Sequence, residues 1–253
     1  MNILITGVTK GIGYQLVSEF VKRNHKVFGI GRTEEKLLEL KTKYGENFIP
    51  LNYDITLEEN IEKIFKVLDE NSISIDILIN NAGIGFLGEF YNIDYKSNEK
   101  MIDLNIKSLM HITYKFINKS LEENIEKIRG IINISSTAAF QSGGPYFAVY
   151  YGTKAFVSSF TNGITEELRD KNFKVMGVYP GPTKTEFVGM EKEKSFYTME
   201  AKKVAKIIVQ DFFNEKEISI PGFFNKILVF IGKVIPRKLE LKFLKKIQLK
   251  KLK

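Results

Sequence analysis

A chain of 253 residues is long enough to bury one substantial core and lies near the upper limit for a single domain. Cysteine is absent, which excludes disulfides, thiolate metal sites and a cysteine nucleophile, and two histidines, His25 and His111, are too few to suggest a metal centre. The formal charge is +8, yet nine Lys or Arg and one Glu lie between Lys233 and Lys253, so the preceding residues sum to zero and offer no general basic surface for nucleic acid.

Met1 to Thr6 is a short apolar run. Glycines follow at Gly7, Gly11 and Gly13, then an amphipathic stretch carrying Leu16, Val17, Phe20 and Val21, which reads as strand, glycine turn and helix. Glycine permits positive φ and close approach of backbone to a ligand, and the N–H groups at a helix start attract a pyrophosphate, so a nucleotide site is expected here. The Gly-xxx-Gly-x-Gly spacing departs from the Gly-x-Gly-xx-Gly fingerprint of longer dinucleotide enzymes. Lys26 to Gly31 reads as the second strand, with Arg32 next. An acidic residue at that place binds free ribose hydroxyls, whereas arginine accommodates a 2′-phosphate. With Lys10 as a second cation, the expected cofactor is NADP(H) in preference to NAD(H).

Further apolar runs at 48–51, 75–79, 131–134, 175–179 and 217–220 alternate with helical patterns. The alternation predicts an α/β fold: a single Rossmann-like doubly wound parallel sheet of about seven strands, with helices on both faces. Strand C-termini then share one edge, and the candidate site residues fall near it. Gly130 to Ser136 reads as a buried strand that delivers Ser136 to this rim. Tyr150 and Lys154 are four apart, on one face of a helix predicted over 150–168. A phenol titrates near ~10, and an adjacent ammonium lowers that value. Ser136, Tyr150 and Lys154 thus supply a hydrogen-bond donor, a proton donor and a cation, which is equipment for reducing a carbonyl.

Taken together these motifs resemble the short-chain dehydrogenase/reductase family, from Asn2 to about Ile220. Thr6 to Gly13, with Gly7, Thr9, Lys10, Gly11, Ile12 and Gly13, is similar to that family's cofactor loop. Asn80-Asn81-Ala82-Gly83 is similar to its segment after the fourth strand, and Asn105 to its helix asparagine. Ser136, Tyr150 and Lys154 match its remaining catalytic positions; Pro180-Gly181-Pro182-Thr183-Lys184-Thr185 resembles the loop that holds the nicotinamide carboxamide. Asp54, followed by Ile55, resembles the adenine contact, with a plain helix N-terminal carboxylate as the alternative. Of the neighbouring pairs Ser135/Ser136 and Tyr150/Tyr151, the spacing selects Ser136 and Tyr150. The resemblance implies hydride transfer between NADP(H) and a carbonyl or alcohol. Tyr150 would exchange the proton, Ser136 would bind the oxygen, Lys154 would lower the tyrosine pKa and bind ribose, and Asn105 would hold a water joining Lys154 to solvent. Pairing into a homodimer or homotetramer through long helices is implied as well.

The expected boundaries are a catalytic domain over 1–222, including a substrate lid at about 186–200, and an extension over 223–253. Phe187, Met190, Phe196, Tyr197 and Met199 in the lid, with Phe140 and Phe147, suggest an apolar pocket and a lipid-like, aromatic or acyl-chain carbonyl. In the extension an apolar run from Phe223 to Ile231, too short to span a bilayer, precedes a basic segment in which Leu241, Leu244, Ile247, Leu249 and Leu252 share a broad helical face. Two readings stand open: a cationic tail, frayed or packed on another subunit, or a segment lying on an anionic membrane. Met1 lies only a few residues from the glycine loop, which leaves no room for a signal peptide, so a cytoplasmic location is expected, peripheral to the inner membrane face if the tail binds lipid. Two other functions compete: a non-catalytic NADP(H)-binding sensor or scaffold, which has no need of a proton donor, and a nucleotide-sugar epimerase or dehydratase, for which the C-terminal region is short.

Overall fold

The computed structural model describes residues 1–123, 127–188 and 197–252. Strands β1 (Asn2–Thr6), β2 (Lys26–Gly31), β3 (Phe48–Asn52), β4 (Ile77–Asn80), β5 (Arg129–Ile134) and β6 (Phe173–Val178) alternate with helices. These are α1 (Gly11–Val21), α2 (Glu34–Tyr44), α3 (Glu58–Glu70), α4 (Tyr95–Ile102), α5 (Leu109–Glu122) and α6 (Ala148–Glu167). A π-helical turn, Asp103–Ser108, joins α4 to α5. Two short strands, β7 (Thr183–Lys184) and β8 (Met199–Glu200), pair with each other; α7 (Ala201–Phe213), β9 (Ile218–Ser219), α8 (Phe223–Val234) and α9 (Arg237–Lys251) complete the chain.

Seven strands form one parallel sheet in the order β3-β2-β1-β4-β5-β6-β9. Side chains on a strand alternate between faces, and the apolar runs supply both faces at once. Ile3 and Ile5 enter one core with Leu16, Phe20, Val204 and Ile208, while Leu4 between them enters the other with Ile61, Phe65, Ile112 and Ile164. The same alternation separates Ile77 and Ile79 from Leu78, and Ile132 from Ile131. These strands are therefore specified by continuous apolar runs, because a polar residue on either face would be buried.

Strand order reverses between β1 and β4. Successive crossovers run outward from β1 to β2 and β3, and in the other direction from β4 to β5, β6 and β9, so the loops after β1 and β4 diverge and open a crevice at the strand C-termini. The extension does not stand apart from this architecture. α8 and α9 fold back over the crevice, and Leu244 of α9 packs with Ala138, Phe147 and Tyr151. One face of each helix is thus docked on the chain's own body, which a frayed tail does not describe.

Candidate active site

The crevice is a cavity of about 660 Å³ that runs from the glycine loop to the two last helices. Its floor depends on side chains that tie β1 to β4. Thr6 Oγ1 accepts hydrogen bonds from the backbone N–H groups of Asn81 (3.0 Å) and Ala82 (2.9 Å). The Asn81 amide in turn donates to the carbonyls of Thr6 (3.0 Å) and Gly7 (2.9 Å). Gly13 closes the loop onto them, since a Cβ there would lie 2.1 Å from the Gly7 oxygen. Gly7 and Gly11 take φ of +72° and +59°, the left-handed region that glycine enters without strain. A Cβ on Gly11 would lie 3.2 Å from Thr185 Cγ2, so the glycine loop and the 180–185 loop face each other across the crevice.

The reacting end is built where β5 and α6 meet. Ser136 lies two residues beyond β5 and caps a short 3-10 turn, its Oγ accepting from the Ala138 N–H at 3.2 Å. The Tyr150 hydroxyl lies beside Ser136, whose own hydroxyl donates to the Pro180 carbonyl at 3.5 Å. Phe147 stacks on the Tyr150 ring with centroids 4.3 Å apart and an interplanar angle of 12°, and Phe187 packs at 5.4 Å, so the phenol has apolar walls. Lys154, one turn below, is buried; its Nζ donates to the Ile134 carbonyl at 2.9 Å and sits 5.8 Å from the Tyr150 ring centroid. The rejected neighbours point elsewhere. Ser135 donates to the Lys154 carbonyl at 2.8 Å, and the Tyr151 hydroxyl accepts from Gln248 at 3.3 Å.

Burial pushes the Tyr150 phenol up to about 12, with the adjacent Ser136 side chain opposing the rise, and pushes Lys154 down to about 8. Loss of hydration is the largest influence on both groups in the protein alone. The Asn105 side chain is engaged within the protein. Its amide donates to the Ile84 carbonyl (2.9 Å) and Thr153 Oγ1 (3.1 Å), and its Oδ1 accepts from the Ile84 N–H (2.9 Å). Asn105 is thus a clamp on the segment after β4, and it touches Lys154 only across Gly83, whose Cβ would lie 3.3 Å from Asn105 Oδ1 and 3.5 Å from Lys154 Nζ.

Every other residue nominated for catalysis or cofactor binding lines the cavity, apart from Gly13, which lies beneath the glycine loop. At the end remote from Tyr150, Arg32 and Lys10 stand at the rim. Arg32 is largely exposed and pairs with Asp54 at 3.5 Å. Asp54 combines both roles considered for it: it lines the cavity, and its Oδ1 accepts from the Thr56 N–H (3.0 Å) and Oγ1 (2.8 Å) just before α3. A dinucleotide phosphate fits these residues, since Gly11 at the start of α1 puts no Cβ into the crevice toward Thr185 and the cations Arg32 and Lys10 line the same cavity.

The short chain dehydrogenase family model matches residues 1–195. This chain belongs to the short-chain dehydrogenase family. It is an oxidoreductase with a Rossmann-like sheet. Serine 3-dehydrogenase of Agrobacterium fabrum (strain C58) is 37% identical over 190 residues, covering 74% of this chain and 73% of its own. The NADP-dependent 3-hydroxy acid dehydrogenase YdfG of Salmonella typhi is 36% identical over 185 residues, 72% of each chain. Among solved structures, the closed form of serine dehydrogenase complexed with NADP+ matches with a TM-score of 0.78 at 28% identity, covering 87% of this chain and 94% of that one.

Beyond the family's matched region, this dehydrogenase builds the far wall of its pocket from its own extension. Asn225 of α8 rests on the carboxamide-type loop, where only a glycine fits: a Cβ on Gly181 would lie 2.2 Å from Asn225 Oδ1. Leu228 and Ile231 from α8, Ile235 just after it, and Phe243 and Ile247 from α9 line the pocket. Glu240 accepts from the Ser142 N–H at 3.1 Å, and Gln248 reaches Tyr151, so polar contacts latch α9 onto the loop before α6 and onto α6 itself. Sequence reasoning missed these residues. The signal was present as polar Glu240 and Gln248 spaced i and i+8 about Leu244, but it reads as a solvated stripe unless the inward face is known. In the lid, Phe187 and Tyr197 line the pocket, Met199 packs on the sheet core, and Met190 and Phe196 lie outside the described residues. Phe140 turns away and packs on Tyr179 at 4.5 Å.

Proposed function

We propose that this enzyme reduces an apolar ketone or aldehyde with NADPH, and runs the reverse oxidation with NADP+. The observation that carries the reading is the convergence of Ser136, Tyr150 and Lys154 on one cavity that Phe147, Phe187, Leu228 and Ile231 also line. The cofactor is NADP(H). The relatives named for NADP agree with Arg32 and Lys10 at the rim. The glycine loop at the start of α1 would receive the nucleotide phosphates, Lys154 would bind ribose hydroxyls, and the 180–185 loop, with Thr183 and Thr185, would hold the carboxamide. When bound, the reduced nicotinamide supplies hydride to the carbonyl carbon.

Chemistry at the oxygen belongs to the chain's own groups. Tyr150, its pKa near 12, is protonated at neutral pH and donates that proton as negative charge develops on the substrate oxygen. Ser136 hydrogen-bonds the same oxygen and stabilises charge present chiefly in the transition state. Lys154, buried one turn away, places positive charge near the phenolate that results, so the proton is released more readily in the transition state than in the resting protein. Serine 3-dehydrogenase and the 3-hydroxy acid dehydrogenase act on small polar molecules by name; the aliphatic and aromatic wall supplied by α8 and α9 favours a bulkier, apolar carbonyl here.

Following NADPH absorbance across a panel of ketones and aldehydes tests the reading. Apolar carbonyls should turn over, and Tyr150→Phe should lower turnover by roughly 10²–10⁴-fold while sparing NADPH binding. Full activity in that variant would remove Tyr150 from the chemistry. Pairing into a homodimer or homotetramer also belongs to this reading, supported by exposed Met110 and Tyr114 on α5, and light scattering checks it. The enzyme is further proposed to work at the inner face of a membrane, held through its C-terminal region.

A further inference from the structure

The last two helices have an unusual division of faces. Among its described residues, α8 buries only Asn225 and Val229 against the body of the protein. Because successive residues turn by about 100°, further apolar side chains on and just after the helix form two stripes, one beside that line of contact and one opposite it. Leu228, Ile231 and Ile235 form one and line the pocket. Phe223, Ile227, Phe230 and Val234 form the other, spaced i, i+4, i+7 and i+11, and are 72%, 37%, 68% and 68% exposed. None of these four lines the pocket. An apolar stripe of this length, turned away from both core and substrate, calls for a covering partner.

α9 supplies the chemistry of that partner. Its buried line is Glu240, Leu244 and Gln248, so the only carboxylate between Lys233 and Lys253 is turned inward and bonded to the Ser142 N–H. Lys238, Lys242, Lys246 and Lys250 recur at i+4 spacing on the opposite side, all exposed, and none makes a salt bridge among the described residues. Lys245 is set apart over the Tyr146 ring at 6.0 Å. The outward surface is thus a phenylalanine-rich stripe followed by an uncompensated lysine ridge. The rest of the chain sums to zero charge, so the excess of +8 is concentrated where the apolar stripe ends.

We propose that α8 and α9 form an anionic-membrane binding face, in which Phe223, Ile227, Phe230 and Val234 enter the acyl boundary and Lys238, Lys242, Lys246 and Lys250 meet lipid phosphates. A second copy is disfavoured, because a two-fold contact through this face would set +8 against +8. An anionic bilayer meets both features at once, since it accepts apolar side chains beneath a negative surface. The residues differ from those the sequence pattern suggested: Leu244 packs inside against Phe147 and Tyr151, Ile247 lines the pocket, and the insertion is made by α8. The inference specifies the attachment proposed above and requires no turnover, so a failed substrate screen leaves it standing, and its own failure leaves the chemistry standing.

The test is co-sedimentation of the full chain with vesicles of phosphatidylcholine alone and of phosphatidylcholine doped with phosphatidylglycerol. Binding should require the anionic lipid and weaken with salt. The triple variant K238E/K242E/K246E should lower the partition coefficient on the order of 100-fold, and F223S/F230S on the order of 10-fold or more, with NADPH binding retained in both as evidence of folding. Equal sedimentation with neutral and anionic vesicles, or none with either at low salt, overturns the proposal. So does light scattering in which the variants change oligomeric state while the native chain ignores vesicles, which would make this face a subunit contact.

Discussion

An ammonium sealed beneath a stacked phenol has exchanged water for one carbonyl, and Lys154 shows the consequence in a pKa lowered by burial from 10.5 to about 8. The native state therefore binds the proton less tightly than the unfolded chain does. Stability linked to this group is present above 10.5 and is lost as pH falls to about 8, so between those values the fold gains stability as pH rises. The cost at neutral pH is on the order of 3 kcal/mol, offset in part by the bond to Ile134. Lys154→Met keeps the hydrocarbon, discards the charge and leaves that carbonyl unpaired, so a net gain of about 2 kcal/mol at pH 7 is expected, with activity abolished. The gain should shrink toward pH 10, where the native lysine is already neutral. Thermal melts of both proteins from pH 7 to pH 10 check it; a variant less stable at pH 7 would show that Lys154 is not the strained group. Activity has the opposite sign, since loss of the ammonium above pH 8 removes charge from the site, and reduction should decline there.

Elements differ in how plainly their sequence announces them. The strands were legible because both faces of a parallel sheet are buried: Ile3-Leu4-Ile5 and Ile77-Leu78-Ile79 could not be apolar throughout if one face met water. Ser136, Tyr150 and Lys154 were legible because a strand end and a four-residue helical spacing bring them together by local geometry alone. α9 was not, because its buried line contains Glu240 and Gln248, and its outer line contains Leu239 and Phe243; a rule that turns leucines inward and charges outward misassigns such a helix. The actual inward face is defined by partners distant in sequence, Ser142 and Tyr151, which no window reveals. Leu244→Ala tests this assignment. Burial of Leu244 against Phe147 and Tyr151 should be worth about 2–4 kcal/mol, but α9 is peripheral, so the loss should appear as local undocking and not as global unfolding. Faster proteolysis after Arg237 or Lys242, a raised KM for apolar carbonyls and unchanged NADPH affinity are expected. An unaltered KM would detach α9 from substrate binding.

At the scale of the whole molecule, the crevice is the one place that the sheet, the crossover loops and the extension all reach. It is lined by the loops after β1, β2 and β4, by the rim of β5, by α6, by the 180–185 loop and by α8 and α9. A ligand seated there links elements that otherwise meet through few contacts, and because it binds only the folded chain it stabilises the fold by mass action. At one hundred times its dissociation constant NADPH should add about 2.7 kcal/mol, which for a chain of this size raises Tm by roughly 5–10 °C. The rim decides which nucleotide does so. Arg32 and Lys10 are exposed cations at the end remote from Tyr150, whereas an acidic residue after β2 would be needed to favour the unphosphorylated ribose. NADPH should accordingly raise Tm well above the shift given by equimolar NADH, and Arg32→Ala should erase most of that difference while leaving the NADH shift in place. Arg32 also pairs with Asp54, but that contact is 3.5 Å long and largely exposed, so its loss contributes little to the stability of the unliganded chain. Equal shifts by the two nucleotides in the native protein would show that the cations at the rim serve solvent and not a phosphate.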